Sequence, residues 1–503
     1  MGRFLMGLLL VVAVSAGAAP APDDAAAWRA LAARDVEESF ALYRAQHPGM
    51  HDPEDKGFAE RLDRARAQGL AMAGRLTDAA QYPAVLAAFS AELADGHAVV
   101  HPTPAFADAV AEEWRWPGFV ANWRGTGMIV TRAKPDVQHL AGARVVTCDG
   151  RTVPDLVLRN LNRLGGRADE PGQWWWRAHG LFLDTPARGL ELIGAAPPQT
   201  CRFELEGGKV RRERLRWRPL EDADDAWLLE SRVGTPTPTG LSMPRPGLWL
   251  VGLSDFQPDA EGRQAFETLF GELEARREEL AGARAILLDL RGNNGGSSHW
   301  PTRVAELLWG EAFVKGARAR HFGDVAIHWR TSADNRAYLA GMLASEGFPD
   351  AWRPFLEKLL AQWDDAVARG EPMVVQPPGA DEEPPAGDAV PGLSGVPVYV
   401  AVHGGCASAC NDALDTFRLA PGVRLVGAPS SADSRYMDVR AVMTESGMAR
   451  IVLPMKIWVG RPPRPGPGDT YLPDVPVESA DWTTDRFLDV VEADLAARAR
   501  AGG

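Results

Sequence analysis

The chain has 503 residues, a net charge of −13 and a pI near 5.4, with 46% hydrophobic and 24% charged residues. That acidic balance argues against nucleic acid and anionic membrane surfaces as partners. The length exceeds one ordinary hydrophobic core, so several domains are expected.

Arg3 precedes an apolar run, Phe4 to Val14, and Ala16-Gly17-Ala18 or Ala19-Pro20-Ala21 then offers a small-x-small cleavage site. The run is too short to span a bilayer comfortably. Residues 1–21 are therefore expected to be a signal peptide, leaving a periplasmic or secreted chain with no membrane span. Residues 22–104 read as a helical domain, with Phe40, Leu42, Leu62, Ala71 and Leu76 near helical spacing. Its last helix should stop at Asp95-Gly96. Strand-like alternation then begins at His97 and would place His97 and His101 on one side.

Residues 105–240 read as β-rich, with runs at Met128–Thr131 and Ala143–Thr147 and a hairpin turn at Asp149-Gly150. Trp174, Trp175 and Trp176 are read as core or interface packing in preference to a ligand platform. Glu221 to Asp225 reads as an acidic surface loop.

Residues 241–480 alternate strand and helix. Leu248–Leu253 is expected as a strand, Phe266–Leu280 as an amphipathic helix and Ala285–Leu290 as a second buried strand. The loop Arg291-Gly292-Asn293-Asn294-Gly295-Gly296 follows, and no Gly-Lys-Ser/Thr follows it, so it is not a lysine-type phosphate loop. Residues 300–390 form an insertion, mostly helical, that ends in a segment rich in Pro, Gly and acid. Val398–Val402 is a strand, Gly404-Gly405 a turn, and a helix begins near Ser408 with Ala413, Leu414 and Phe417 on one face. A strand, a turn and a helix N-terminus can hold a serine where free N–H groups meet an oxyanion. Small residues also fill such turns for packing alone. Strands at Val423–Val426 and Ile451–Val459 and a last helix, Asp485–Arg500, within 481–503 complete the chain.

Of the four cysteines, Cys406 and Cys410 bracket Ser408 closely enough to staple its turn, which leaves Cys148 with Cys201. Four buried thiols are the alternative. With no second close pair, zinc is not indicated.

Four pieces stand in one order: Asp95-Gly96-His97, the run Asp289-Leu290-Arg291-Gly292-Asn293-Asn294-Gly295-Gly296, Ala407-Ser408-Ala409, and Pro473-Asp474-Val475. The set resembles the C-terminal-processing (tail-specific) serine peptidases and their relatives of the tricorn core type, over about 95–103 and 245–478. That resemblance implies a crotonase-like α/β catalytic core, with a PDZ-like module around 140–155. It further implies Ser408 as nucleophile, an oxyanion hole from the Ala409 N–H and that of Gly295 or Gly296, peptide or protein substrates, and neither cofactor nor metal.

The base departs from the pattern. Many family members carry a lysine in a Gly-x-Pro-x-x-Gly-Lys run. Here the matching run, Gly427 to Ser434, has none, and Asp433 stands near its place. The tricorn-type branch suggests His97 as base instead, although Gly96 replaces the serine that precedes the histidine there. Asp469 or Asp433 is the candidate acid to orient His97, while Asp95 is expected to cap backbone. A purely structural His97, a His97–His101 metal pair and Lys456 as a substitute base are the competing readings. The expected function is that of an exported serine endopeptidase. The alternative is an inactive peptide- or ligand-binding protein on the same scaffold, and thioester chemistry lacks any adenine- or phosphate-binding pattern.

Overall fold

The computed structural model describes residues 20, 21, 23–160, 167–346, 348, 350–377, 392–432 and 435–502. Nearly all of the expected signal peptide, and Asp433, lie outside the described residues.

At the centre is a six-stranded sheet in the order Gly240–Arg245, Leu248–Gly252, Ala285–Asp289, Val398–Val402, Arg424–Gly427, Val475–Pro476. All pairs after the first are parallel. Its inner strands are largely apolar, as strands covered on both faces must be. Trp249, Val251, Ile286, Leu288, Val398 and Val400 face a core that includes Phe266, Trp300 and Phe417, residues of the helices Ala260–Ala275, His299–Trp309 and Ala409–Phe417. Leu248, Leu250, Ala285, Leu287, Tyr399 and Ala401 face the opposite core, with Trp175, Trp482 and Phe487.

That second core is shared with an antiparallel sheet of Phe119–Arg124, Gly127–Ala133, Arg144–Cys148, Thr200–Glu204 and Val210–Arg214. Asp149 and Gly150, both at positive φ, make the tight turn between Arg144–Cys148 and Arg151–Thr152. Both cysteine pairings form, Cys148 with Cys201 and Cys406 with Cys410.

The N-terminal helices Ala25–Gln46, Phe58–Ala73 and Tyr82–Leu93 pack around Trp28, Tyr43 and Phe89. They reach the rest through a second antiparallel sheet, in which Val99–Pro102 pairs with Ala449–Val459. The Tyr43 hydroxyl donates to the Val452 carbonyl at 2.8 Å and lies 3.3 Å from that of Val99. The helix ends at Leu93, just short of the expected Asp95-Gly96, with Ala94 left-handed at its C-cap (φ 53). The strand, however, starts at Val99, so His97 lies in the turn before it and does not share an alternation with His101. Asp222–Val233 is a helix and not an acidic loop. Its carboxylates in the first turn offset the positive end of the helix dipole, which composition alone did not reveal.

Asp289 and Arg291 join the sheet to the C-terminal helix. The Arg291 Nε donates to Asp289 Oδ1 at 2.8 Å and Nη2 to Oδ2 at 2.7 Å. Nη1 reaches the Trp482 carbonyl at 2.6 Å, and Thr237 Oγ1 donates to the same carboxylate at 2.7 Å. Both charges are fully buried. The Asp-Leu-Arg-Gly sequence therefore carries a scaffold pair. Arg291→Met should cost about 3–5 kcal/mol in a urea unfolding curve, because it strands the carboxylate, and adding Asp289→Asn should restore part of the loss.

Candidate active site

Ser408 stands between the strand Val398–Val402 and the helix Ala409–Phe417, at φ 54 and ψ −126. A non-glycine residue in that region is strained and persists only when its surroundings fix it. The Cys406–Cys410 bridge brackets it. The Cys406 N–H donates to the His403 carbonyl at 3.1 Å, Cys410 N–H to Ala407 at 3.0 Å, and Asp412 N–H to Ser408 at 3.1 Å. Among the described residues, the Ser408 hydroxyl makes no hydrogen bond.

The glycine loop passes directly over the serine. A Cβ placed on Gly295 would lie 2.9 Å from the Ser408 Cβ and 3.2 Å from the Ala409 nitrogen, and φ there is +111°. Only glycine leaves that space open. The Gly295 N–H is committed to Asn293 Oδ1 at 2.9 Å. Among the described residues, the N–H groups of Gly296 and Ala409 have no acceptor. Of the two glycines that sequence left open as donors, Gly296 is the one with an available N–H.

His403, which sequence reading passed over, ties this loop to the serine turn. Its Nδ1 accepts from Gly405 N–H at 3.1 Å, so Nε2 carries the proton and donates to the Asn293 carbonyl at 3.0 Å. Burial lowers its pKa to about 4, keeping the ring neutral. A histidine ending an apolar strand just before Gly404-Gly405 was the available signal.

His97 sits with its ring Nδ1 4.0 Å from Asp95 Oδ1, and its backbone N–H donates to that same oxygen at 2.9 Å. Asp95 thus caps backbone as expected, yet it is also the carboxylate beside the ring. Its other oxygen faces His47 Nε2 at 3.6 Å, and the His47 side chain is fully buried. His47 Nδ1 accepts from Gly49 N–H at 2.9 Å, which puts the ring proton on Nε2, toward Asp95. Burial pushes the Asp95 carboxyl up, but the two imidazoles outweigh it and hold it below its usual value. Three buried atoms here, His47 Nε2, Asp95 Oδ2 and His97 Nδ1, lack hydrogen-bond partners, and both imidazoles approach the one Asp95 carboxylate.

Asp469 lies elsewhere in its interactions. Its carboxylate accepts from the Arg464 N–H at 2.6 Å and from Arg464 Nη1 at 3.3 Å, and the side chain is 46% exposed. Lys456 pairs with Asp438 at 2.9 Å. No group of three metal-ligating side chains occurs among the described residues.

A buried polar bridge links the histidine turn to the serine turn. Arg167 Nη1 donates to the Ala94 carbonyl at 2.6 Å, and its guanidinium pairs with Glu170, a residue 1% exposed. Glu170 Oε2 accepts from Ser431 Oγ and from Ala432 N–H, each at 3.4 Å. Ser431 N–H donates to the Cys406 carbonyl at 3.0 Å, and Asn411 of the serine helix donates to the Ser431 carbonyl at 2.7 Å.

His403 titrates near 6.5 when unfolded and near 4 when folded, so the native state excludes the proton. Stability is complete above pH 6.5 and should fall as pH drops toward 4, by on the order of 3 kcal/mol from this group. Thermal melts across that window should show the decline in wild type and a shallower slope in His403→Gln; an unchanged slope would show that His403 is not the group responsible.

No family model and no curated protein matches the chain. Among solved structures it is similar to mature CPAF, with a TM-score of 0.59 and 13% identity over 93% of this chain and 98% of that one. It is likewise similar to mature CPAF complexed with lactacystin, with a TM-score of 0.58 and 13% identity over 93% and 97%. At that identity the likeness establishes architecture: this chain has the fold of mature CPAF.

Proposed function

We propose that the protein is an exported serine endopeptidase of the C-terminal-processing type, acting through an acyl-enzyme on Ser408. The observation that carries this reading is the unbonded Ser408 hydroxyl next to the uncommitted N–H of Ala409, with Gly295 close over both and an uncommitted N–H on the following residue, Gly296. His97 takes the hydroxyl proton as Oγ bonds to the peptide carbonyl carbon. The two N–H groups stabilise the tetrahedral oxyanion, and the amine leaves with the proton from His97. Water then repeats the sequence and frees the acid.

Asp95 is the acid that orients His97, in place of Asp469; Asp433 lies outside the described residues. The Asp95 carboxylate lies next to the ring, whereas that of Asp469 is occupied by Arg464. A 4.0 Å separation closes to a hydrogen bond when substrate draws the ring toward Ser408, as catalytic contacts often tighten on binding. His47 is the positioning residue behind Asp95. The parallel sheet serves as the crotonase-like core, and the antiparallel sheet of residues 119–214 takes the place of the PDZ-like module. Two disulfides favour an oxidising compartment such as the periplasm. The second reading, a binding protein without catalysis, draws support from the absence of a base bonded to Ser408 among the described residues.

Ser408→Ala should abolish both peptide turnover and labelling by a serine-directed acylating probe. A folded wild type that the probe never labels would leave only the binding reading. Asp95→Asn should lower kcat by roughly 10²–10⁴-fold, the range for losing an orienting carboxylate, while Asp469→Asn should stay within a few fold. The reverse ranking would return the role to Asp469. Gly295→Ala, which crowds Ser408 and Ala409, should cost about a hundredfold or more.

A further inference from the structure

Beside the histidine turn a cleft of about 520 Å³ opens between the helix Tyr82–Leu93, the strand Val99–Pro102 and residues 167–188. That volume is in the range of pockets that hold a small ligand or a short stretch of peptide, and the cleft's lining mixes apolar with charged residues. Trp176 lines it and also lies against Gly405 and His403, so the cleft adjoins the serine turn.

Arg177, Arg188, Arg232, His101 and His179 all line this cleft. The carboxylates that share it are already engaged. Asp95 faces the two imidazoles, Glu170 pairs with Arg167, and Glu112 on the rim accepts from Trp114 Nε1 at 3.1 Å. Asp184 lies near Arg188 and Arg115. Arg232 donates through Nε to the Leu228 carbonyl at 3.3 Å and stacks 4.4 Å over Trp176; among the described residues no carboxylate pairs with it. His179 Nδ1 is buried without a hydrogen-bond partner. Burial drives the His179 pKa down to about 3, and the charges that add to the shift are Arg232, Arg188 and Arg177, all positive. Among the described residues Arg232 therefore brings to the cleft a positive charge that no carboxylate answers.

We propose that this cleft binds a carboxylate of the peptide substrate, with the Arg232 guanidinium as its principal partner. Arginine presents a planar fork that meets a carboxylate with two parallel hydrogen bonds. The carboxylate belongs either to an Asp or Glu side chain or to the peptide C-terminus. This specificity rests on the peptidase reading for its purpose, though binding can be measured without turnover.

Four fluorescein-labelled decapeptides, carrying Glu or Gln at one position and a free or amidated C-terminus, would be titrated against full-length Ser408→Ala protein by anisotropy. At least one carboxylate-bearing peptide should bind tenfold or more tighter than the Gln amide. Tight binding of the Glu amide assigns the side chain, and tight binding of the Gln free acid assigns the terminus. Arg232→Gln should erase the preference and Arg232→Lys should keep part of it, with near-UV circular dichroism unchanged in both. Equal affinity for all four peptides, no binding up to millimolar concentration, or a preference that survives Arg232→Gln overturns the proposal. Wild-type turnover without the preference overturns the pocket alone. The preference in a protein that never turns over peptide leaves the pocket standing and removes the peptidase.

Discussion

A single neutral imidazole holds the candidate site together. His403 grips the serine turn through Gly405 and the glycine loop through Asn293, and Asn293 in turn fixes Gly295. Because Nδ1 accepts and Nε2 donates, the clamp works only in one tautomer and only without charge. Neither loop is part of a regular element, so their relative placement rests on this ring, on packing beneath Trp176, and on the glycine that lets the backbones approach.

Around that clamp, buried charge is handled in two different ways. Asp289 and Arg291 are fully buried and satisfied by each other and by Thr237, Thr484 and Trp482, so they act as mortar. The cluster of His47, Asp95 and His97 leaves three polar atoms short of hydrogen-bond distance. Unsatisfied buried atoms are costly, and structures retain them where they serve a purpose. The contrast separates a satisfied scaffold pair from the cluster proposed to act in catalysis, although both consist of a buried carboxylate beside a cationic or titratable partner.

Much of this was legible in the chain. Doubly covered strands read as unbroken apolar runs, so Leu248–Gly252, Ala285–Asp289 and Val398–Val402 fell within a residue or so of expectation. The serine turn and both cysteine pairings were visible from spacing. Long-range polar contacts were not. Arg167, Glu170 and Ser431 stand in loops with no periodicity, and nothing in their neighbours says that they meet. Asp95 was read as a local cap, which it is, but its second partner, His47, lies 48 positions away and leaves no mark in sequence. Asp469 drew attention through its place near Pro473-Asp474, where Arg464 claims it.

The two disulfides close loops of very different size, with sequence separations of 53 and 4. On loop-closure entropy the long one contributes about 4 kcal/mol against unfolding and the short one about 2 kcal/mol. The Cys148–Cys201 bond therefore guards the whole molecule, whereas Cys406–Cys410 guards chiefly the peptide unit at Ser408. Reducing both bonds would take about 4 kcal/mol from the stability of the whole molecule through Cys148–Cys201 and loosen the turn at Ser408 through Cys406–Cys410.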